Sequence, residues 1–264
     1  MIKIFLAEFR RAMNIWFILG IVGVSFSICF DSWNDLIRSI ENSNGYVHYF
    51  FWNSAFGGMC RTYLLPIFAT FPFAASFSNE KKSKSLAYIV SREGTKRYCI
   101  IKYVVNAISG GMVVAIGTAF VLLMLSIKFP MVNSDFQDVQ ITDIFHSWLA
   151  VNYPMKYSIV EICLGFFRGV IWSSVGLLVS IYIEDAFVVT VSPYMINYAF
   201  IQFCRLLQID NRYRLDMILM GRTIVRSSFD TLIIALISTL IIALIIGIVF
   251  VKNILRGLSG GNII

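Results

Sequence analysis

The sequence holds few of the residues that catalysis, metal binding or a soluble surface require. Only 14% of its residues are charged, whereas soluble domains carry about 25%. Two of the 264 residues are histidines, His48 and His146, and they stand far apart. The sequence contains no H-E-x-x-H zinc motif, no G-x-S-x-G elbow and no paired carboxylates in an apolar run. We therefore expect neither an enzyme nor a metal site.

A cysteine cluster and a nucleotide-binding loop are also missing. No two of the five cysteines stand at metal-ligand or redox spacing; they are Cys29, Cys60, Cys99, Cys163 and Cys204. We expect them to be packed, reduced thiols. The chain also lacks the phosphate-binding loop G-x-x-x-x-G-K-[ST]. It therefore cannot hydrolyse ATP by that chemistry, so any ATP and Mg used with it would bind to another polypeptide.

Long apolar runs are what the sequence does contain. Hydrophobic residues make up 58% of the chain, which predicts an all-α integral membrane protein. Six runs each approach the ~20 residues that cross ~30 Å of hydrocarbon. We expect a single transmembrane domain over 1–264 with six transmembrane helices, at about 15–30, 54–77, 100–127, 158–183, 186–207 and 231–251. The second span would be interrupted by Arg61 and kinked at Pro66 and Pro72.

The N-terminal segment 1–13 has the pattern of an amphipathic helix. One stripe at helical spacing is apolar and contains Ile2, Phe5, Leu6, Phe9 and Met13. The other side carries Lys3, Arg10 and Arg11. Such a helix suits the membrane surface, so we expect it to be interfacial and to contact lipid.

Positive charge is concentrated on one side of the predicted bundle. The net charge of +7 arises on the side that holds both termini and the connection 78–102, while cations and acids balance elsewhere. The outer segment 208–229 still carries four arginines, for which the sequence suggests no role. The positive-inside rule predicts a multi-pass plasma-membrane protein with both termini cytoplasmic. Because the cations stand at the ends of apolar runs, we expect no nucleic-acid partner. The many Ile and Asn residues are compatible with a low-GC bacterium.

The connection 78–102 contains seven lysines and arginines. Ser78 and Asn79 can cap a helix whose first turn holds Glu80, and the letters SREGT then break that helix. Gly94 suits a left-handed helix end, and Thr95 suits the cap of the next helix. We therefore predict a compact cytoplasmic elbow over 78–99. Its face, which includes Leu86, Tyr88 and Ile89, could dock another protein.

The elbow resembles the connection after the second span in membrane subunits of type-2 ATP-binding cassette exporters. That family tends to show a Glu, an apolar helix, a Ser-Arg pair and a later Lys; this chain has Glu80, SLAYIV, Ser91-Arg92 and Lys102. The amphipathic start, six spans and a polar segment before the last span fit the same family. The resemblance implies a permease subunit that dimerises with a second copy or a homologue and is driven by a separate ATPase. It gives coupling roles to Glu80, Lys84, Tyr88, Arg92 and Gly94. The alternative is that these charges only set topology.

Three ionisable residues lie well inside predicted spans. Arg61 stands in the second span, and the fourth span carries Glu161 and Arg168, with Trp172 on the same face. Such residues are functional candidates by default, so these four form a candidate substrate path. The alternative is a Glu161–Arg61 or Glu161–Arg168 pair that only positions helices. Lys102 stands close enough to a span end to reach the interface.

The fourth span also has a stripe of small residues. Gly165, Gly169 and Ser173 are spaced so that another helix can approach closely. In the cytoplasmic half of the spans, aromatic and Met residues suit an amphipathic or apolar cargo, such as a peptide, a lipid-like molecule or a drug. The alternative is that these side chains only face lipid or fill contacts between helices. An ion-coupled secondary transporter is the alternative function; it would require a titratable group near the midplane, and only Glu161 is available.

Overall fold

The structure is a computed structural model that describes residues 2–42, 45–56, 58–131, 147–223 and 227–259. His146 and Arg226 therefore lie outside the described residues. Within the described ranges the chain is helical and contains no strand. The α-helices are α1 (Ile2–Ala12), α2 (Ile15–Asp31), α3 (Trp33–Asn42), α4 (Val47–Phe56), α5 (Met59–Tyr63), α6 (Leu65–Thr70), α7 (Ser76–Lys82), α8 (Leu86–Glu93), α9 (Thr95–Lys128), α10 (Ser147–Asn152), α11 (Pro154–Val179), α12 (Ala186–Leu206), α13 (Leu215–Leu219) and α14 (Ser228–Ser259).

Among the described residues, four helices are long and apolar enough to cross a membrane: α9, α11, α12 and α14. A fifth candidate is the pair α1 and α2, which meets the same criteria only when taken together and is bent by 57°. The prediction of an all-helical chain is thus confirmed for the described residues, with helices that are long and apolar enough to cross a membrane. The count of six spans is not confirmed.

Local capping explains where several of these helices begin. The Asn14 side chain accepts hydrogen bonds from the backbone N–H groups of the first turn of α2, at 2.9 and 3.2 Å. Asp185 does the same for α12, at 2.7 and 3.2 Å. Pro154 begins α11, where its missing N–H has no intrahelical partner to lose. The bend between α1 and α2 therefore lies at a capping residue.

The predicted second span is divided into short helices. Its residues belong to the end of α4, to α5 and α6, and to the start of α7, with a turn at 71–75 between the last two. Pro66 stands in the first turn of α6, and Pro72 lies in the turn. A proline removes a backbone donor and obstructs the preceding turn. Here the prolines interrupt the run rather than kink one continuous helix, which differs from the prediction.

The centre of the bundle is the close crossing of α9 and α11. A Cβ on Gly169 would come within 2.4 Å of the Gly110 carbonyl oxygen, so the two backbones touch. The Asn106 amide donates to the Ser173 carbonyl at 2.8 Å across the same crossing. The close approach predicted from the small residues of the fourth span is confirmed. Helices α1, α2 and α14 also pack on α9, which makes it the shared support of the fold.

Helix α1 does not present its whole apolar stripe to the outside. Phe5 and Phe9 pack towards buried residues of α9, whereas Ile2 and Leu6 are exposed. Glu8 is buried on the same helix. The predicted stripe is therefore shared between the protein and the surroundings, and its interfacial role stays a prediction.

The elbow is built from two helices rather than from one. Helix α7 begins at Ser76 and ends at Lys82, so Ser78 lies inside it and is buried. Lys84 follows with a φ of 56°, an uncommon backbone conformation for a residue with a side chain. Helix α8 then ends at Glu93 and is capped by Gly94, whose φ is 82°, and α9 begins at Thr95. The break predicted at Gly94 is present, whereas the break at Lys84 was not predicted.

Candidate functional site

An ionic network, buried except for the half-exposed side chain of Arg11, joins the elbow to α1 and α9. We call it the elbow cluster; its members are Glu8, Arg11, Glu80, Tyr98 and Lys102. The Lys102 ammonium lies 2.6 Å from one Glu80 carboxylate oxygen and 3.5 Å from Glu8. Arg11 contacts Glu80 at 2.9 Å and Glu8 at 2.7 Å. The Tyr98 hydroxyl donates to the other Glu80 oxygen. Three separate stretches of sequence thus meet at one carboxylate.

The sequence predicted that Lys102 could reach the interface, but the structure buries this residue. Its side chain is 0% exposed, and its ammonium lies 4.6 Å from the centre of the Phe73 ring. A buried ammonium is tolerated only when it is paired. Glu80 supplies the pairing charge, and the aromatic ring adds a cation–π contact. The resemblance to exporter subunits matched Glu80 and Lys102 as separate motif positions, and here they bind each other.

The Glu80 carboxylate is stabilised in its charged form. Burial alone would raise the pKa of Glu80, but the charge of Lys102 and the hydrogen bonds from Lys102 and Tyr98 act in the opposite direction. The charge of Arg11 adds to them, and the net effect lowers the pKa of Glu80. The elbow is therefore anchored by an ionised carboxylate.

The five predicted coupling residues fall into two groups. Glu80 is buried beneath the elbow. Lys84, Tyr88, Arg92 and Gly94 are exposed on it, with Tyr88 80% exposed. The predicted docking face requires one correction, because Leu86 is buried against an apolar cluster with Tyr98 and Phe250. Helix α8 is thus held by its apolar side and leaves its polar side open.

Three members of the elbow cluster were missed in the sequence, namely Glu8, Arg11 and Tyr98. Glu8 and Arg11 lie in the segment predicted to rest on the membrane surface. The available signal was an acid in an otherwise basic amphipathic helix, because such a residue requires a cationic partner if it is buried. A cleft of about 900 Å³ opens beside the cluster and is bounded by both Arg11 and Glu80. Its apolar lining includes Trp16, Phe71 and Phe187.

A second buried network lies within the bundle. We call it the arginine cluster; its members are Asp31, Arg61, Glu161, Arg168 and Asn197. Arg61 and Glu161 form an ion pair at 3.0 Å, and their side chains are 6% and 1% exposed. Arg168 donates to the carbonyl of Arg61 at 2.7 Å. Asp31 accepts from the backbone N–H of Arg61 at 2.6 Å. Asn197 donates at 2.9 Å to the Thr62 carbonyl.

This network holds in place the short helices into which the predicted second span is divided, called below the broken second run. Helices α5 and α6 are too short to satisfy their own backbone groups, because an α-helix leaves four N–H and four C=O groups open at its ends. Asp31 satisfies the N–H groups of Cys60 and Arg61, and Arg168 and Asn197 satisfy carbonyls of α5. Side chains from α2, α11 and α12 therefore replace hydrogen bonds that a continuous helix would have made itself.

The four residues of the predicted substrate path are only partly brought together. Arg168 and Trp172 line one pocket of about 190 Å³, together with Asn197, Asp216 and apolar side chains. Arg61 and Glu161 do not line it and are bound to each other instead. Glu161 pairs with Arg61 across two helices, and its other carboxylate oxygen has no hydrogen-bond partner within the described part of the chain.

The part of the Arg-rich segment that the structure describes, 208–223, folds back on this region. Arg214 and Asp216 are paired at 2.8 Å and are both largely buried. Arg222 donates to the Thr62 hydroxyl at 3.3 Å. Burial and the nearby charge of Arg61 lower the pKa of Arg222 to about 10, against the opposing charge of Asp216. No role was predicted for this segment, and its contact with α5 was not readable from sequence spacing.

Among the described residues, no group of three or more His, Cys, Asp or Glu side chains could hold a metal ion. A scan against models of protein families, a search of curated proteins and a search of solved structures each find no match to this chain. The geometry of the two clusters and the elbow must therefore carry any inference about function.

Proposed function

We propose that this chain is the permease subunit of a type-2 ATP-binding cassette exporter. It would move an amphipathic or apolar cargo, such as a peptide, a lipid-like molecule or a drug, out across the plasma membrane. A separate subunit would bind ATP and Mg and hydrolyse the nucleotide. A second copy of the chain or a homologue would complete the path, and both termini would face the cytoplasm.

The observation that carries this proposal is the construction of the elbow. Its outer helix, α8, presents Tyr88 and Arg92 to the surroundings. Its base is fixed by Glu80, which is bound to Lys102 of α9 and to Arg11 of α1. An exposed surface on a firmly anchored base suits a segment that receives force from another protein.

The connection to α9 gives that force a route into the bundle. Only Gly94 separates α8 from α9, so a displacement of α8 acts directly on a helix of 34 residues. Helix α9 packs on α2, α11 and α14. Because closely packed helices shift as units, movement of the elbow would change the positions of several helices together.

The arrangement of Glu161 favours this function over an ion-coupled secondary transporter. Such a transporter needs a carboxylate that can exchange a proton or a cation near the bilayer midplane. Glu161 is instead paired with Arg61 at 3.0 Å and is buried. Release of that pair during each cycle would leave a buried guanidinium without its counter-charge.

The test is to purify the tagged full-length chain from its native membrane in mild detergent and to identify the proteins bound to it. We expect an ATPase with a phosphate-binding loop in stoichiometric amount. The double variant Tyr88→Ala/Arg92→Glu should lose that subunit. The matched control is Arg212→Glu/Tyr213→Ala, which makes the same changes at exposed residues of the opposite predicted side.

Two results would overturn the proposal. One is full transport by the isolated chain in vesicles that contain no ATPase. The other is labelling of an engineered cysteine at Lys84 by a membrane-impermeant reagent added outside intact cells, because the elbow would then lie on the wrong side. If the ATPase is lost from Arg212→Glu/Tyr213→Ala and is retained by Tyr88→Ala/Arg92→Glu, its binding site is not the elbow.

A further inference from the structure

An apolar groove runs along the outside of the bundle between α9 and α14. Its volume is about 760 Å³. It is lined from α9 by Ile100, Tyr103 and Val104, and from α14 by Leu240, Ala243, Leu244, Gly247, Ile248, Val251, Lys252, Leu255 and Arg256. None of these residues belongs to the elbow cluster or the arginine cluster. The groove is therefore a surface for which the transport proposal gives no role.

The floor of the groove is shaped by a glycine and a tyrosine. The Tyr103 hydroxyl donates to the carbonyl of Ala243 at 2.5 Å, which fixes the ring against α14. A Cβ on Gly247 would lie 2.9 Å from a carbon of that ring. The depth of the groove at its middle thus depends on the absence of a side chain at Gly247.

One end of the groove is cationic. Lys252 and Arg256 are exposed, and their spacing of four residues puts them on the same face of α14. From Leu240 to Val251 the α14 wall is apolar and about 17 Å long at ~1.5 Å per residue. One leaflet of hydrocarbon is about 15 Å deep, half of a ~30 Å core. The apolar length and the cations therefore match one leaflet and its headgroup level.

We propose that this groove binds one anionic phospholipid. An acyl chain would lie against Leu244, Gly247 and Ile248, and the phosphate would lie between Lys252 and Arg256. Apolar burial alone would accept any phospholipid, whereas two cations at the headgroup level favour one with net negative charge. The site is independent of whether the chain is an exporter subunit, since it needs only a membrane that contains anionic lipid.

Native mass spectrometry of the detergent-purified full-length chain tests the site. The chain is titrated with phosphatidylglycerol and, separately, with phosphatidylcholine of the same acyl chains. We expect tighter binding of phosphatidylglycerol. The variant Lys252→Gln/Arg256→Gln should weaken it about 30-fold, which corresponds to about 2 kcal/mol for two cations, and should leave phosphatidylcholine unchanged. The matched control is Lys3→Gln/Arg10→Gln, which neutralises two exposed cations of α1 and should retain binding.

The groove itself is tested by Gly247→Leu, which should weaken both lipids because the new side chain fills the floor. If that variant does not fold, the neutralised variant still decides, because its changes are on the surface. Equal affinity for the two lipids, or phosphatidylglycerol binding retained after loss of Lys252 and Arg256, overturns the proposal. The proposal is also overturned if Gly247→Leu abolishes a dimer and leaves lipid binding unchanged. The groove would then be occupied by a second copy of the chain.

Discussion

Replacing Glu161 by Gln should destabilise the bundle strongly. The Arg61 and Glu161 side chains are almost fully buried and lie 3.0 Å apart. Gln has nearly the shape of Glu and can still accept a hydrogen bond, but it carries no charge. The change would leave the buried guanidinium of Arg61 uncompensated, with the cation Arg168 close by. Removing one partner of a buried ion pair costs about 3–5 kcal/mol.

The assay is thermal unfolding of the detergent-purified chain. At about 2–4 °C per kcal/mol, the expected fall in the midpoint is roughly 6 °C or more. The matched control is Glu184→Gln, which makes the same change in the ion pair with Lys81 at 3.2 Å, where Glu184 is 56% exposed. Exposed pairs contribute about 0–1 kcal/mol, so the control should shift little.

A double replacement separates charge from packing. Arg61→Met/Glu161→Met removes both charges, and we expect it to be more stable than Glu161→Gln alone, because no uncompensated charge remains at this pair. The Phe51 carbonyl, which accepts from Arg61 at 3.1 Å, would lose its donor, so recovery should be incomplete. If Glu161→Gln unfolds at the same temperature as Glu184→Gln, the reasoning is refuted and the pair does not hold the helices.

Three further changes test other features. Gly169→Ala should sharply lower the yield of folded chain, because its Cβ would lie 2.4 Å from the Gly110 backbone. The control Gly165→Ala should be tolerated, because its nearest contacts are side chains at 3.1–3.5 Å. Size-exclusion profiles compare the two variants. Gly94→Ala should lower the free energy of unfolding by about 1–3 kcal/mol through the positive φ alone, since no atom lies within 4 Å of the added Cβ. Chemical unfolding measures this free energy. An unchanged value would contradict the backbone strain expected at Gly94. The pKa of Glu80 is lowered in the folded chain, so its stabilisation is present above its ordinary pKa of ~4.3 and is lost as the pH falls through the lowered value. The difference in thermal unfolding midpoint between wild type and Glu80→Gln should therefore narrow below about pH 4. A difference that stays constant with pH would contradict this reasoning.

The long apolar helices and the crossing between them could be predicted from sequence. Helices α9, α11 and α14 contain long apolar runs with few charges, so the bilayer length rule applies to them directly. The small residues around Gly169 predicted close approach, and Gly94 predicted the end of the helix within the elbow. These signals are local, because each is written in one stretch of the chain.

The rest depends on contacts between distant parts of the sequence. Glu80 and Lys102 were each recognised, yet nothing in their spacing shows that Arg11 joins them. The division of the second run at Pro66 and Pro72 could not be distinguished from a kink. That choice depends on whether neighbouring helices supply hydrogen-bond partners, as Asp31 does here. Lys102 was misplaced for the same reason, since burial of an ammonium requires an anion that sequence spacing did not locate.

The broken second run has a consequence for how the bundle can move. Its open carbonyls at Arg61 and Thr62 are occupied by side chains of α11 and α12 rather than by the next turn of their own helix. A buried main-chain carbonyl that loses its donor is left unsatisfied, at a cost of about 1–3 kcal/mol. We therefore expect any sliding of these helices to exchange one donor for another in discrete steps, so that the short helices would take up a few defined positions instead of shifting continuously.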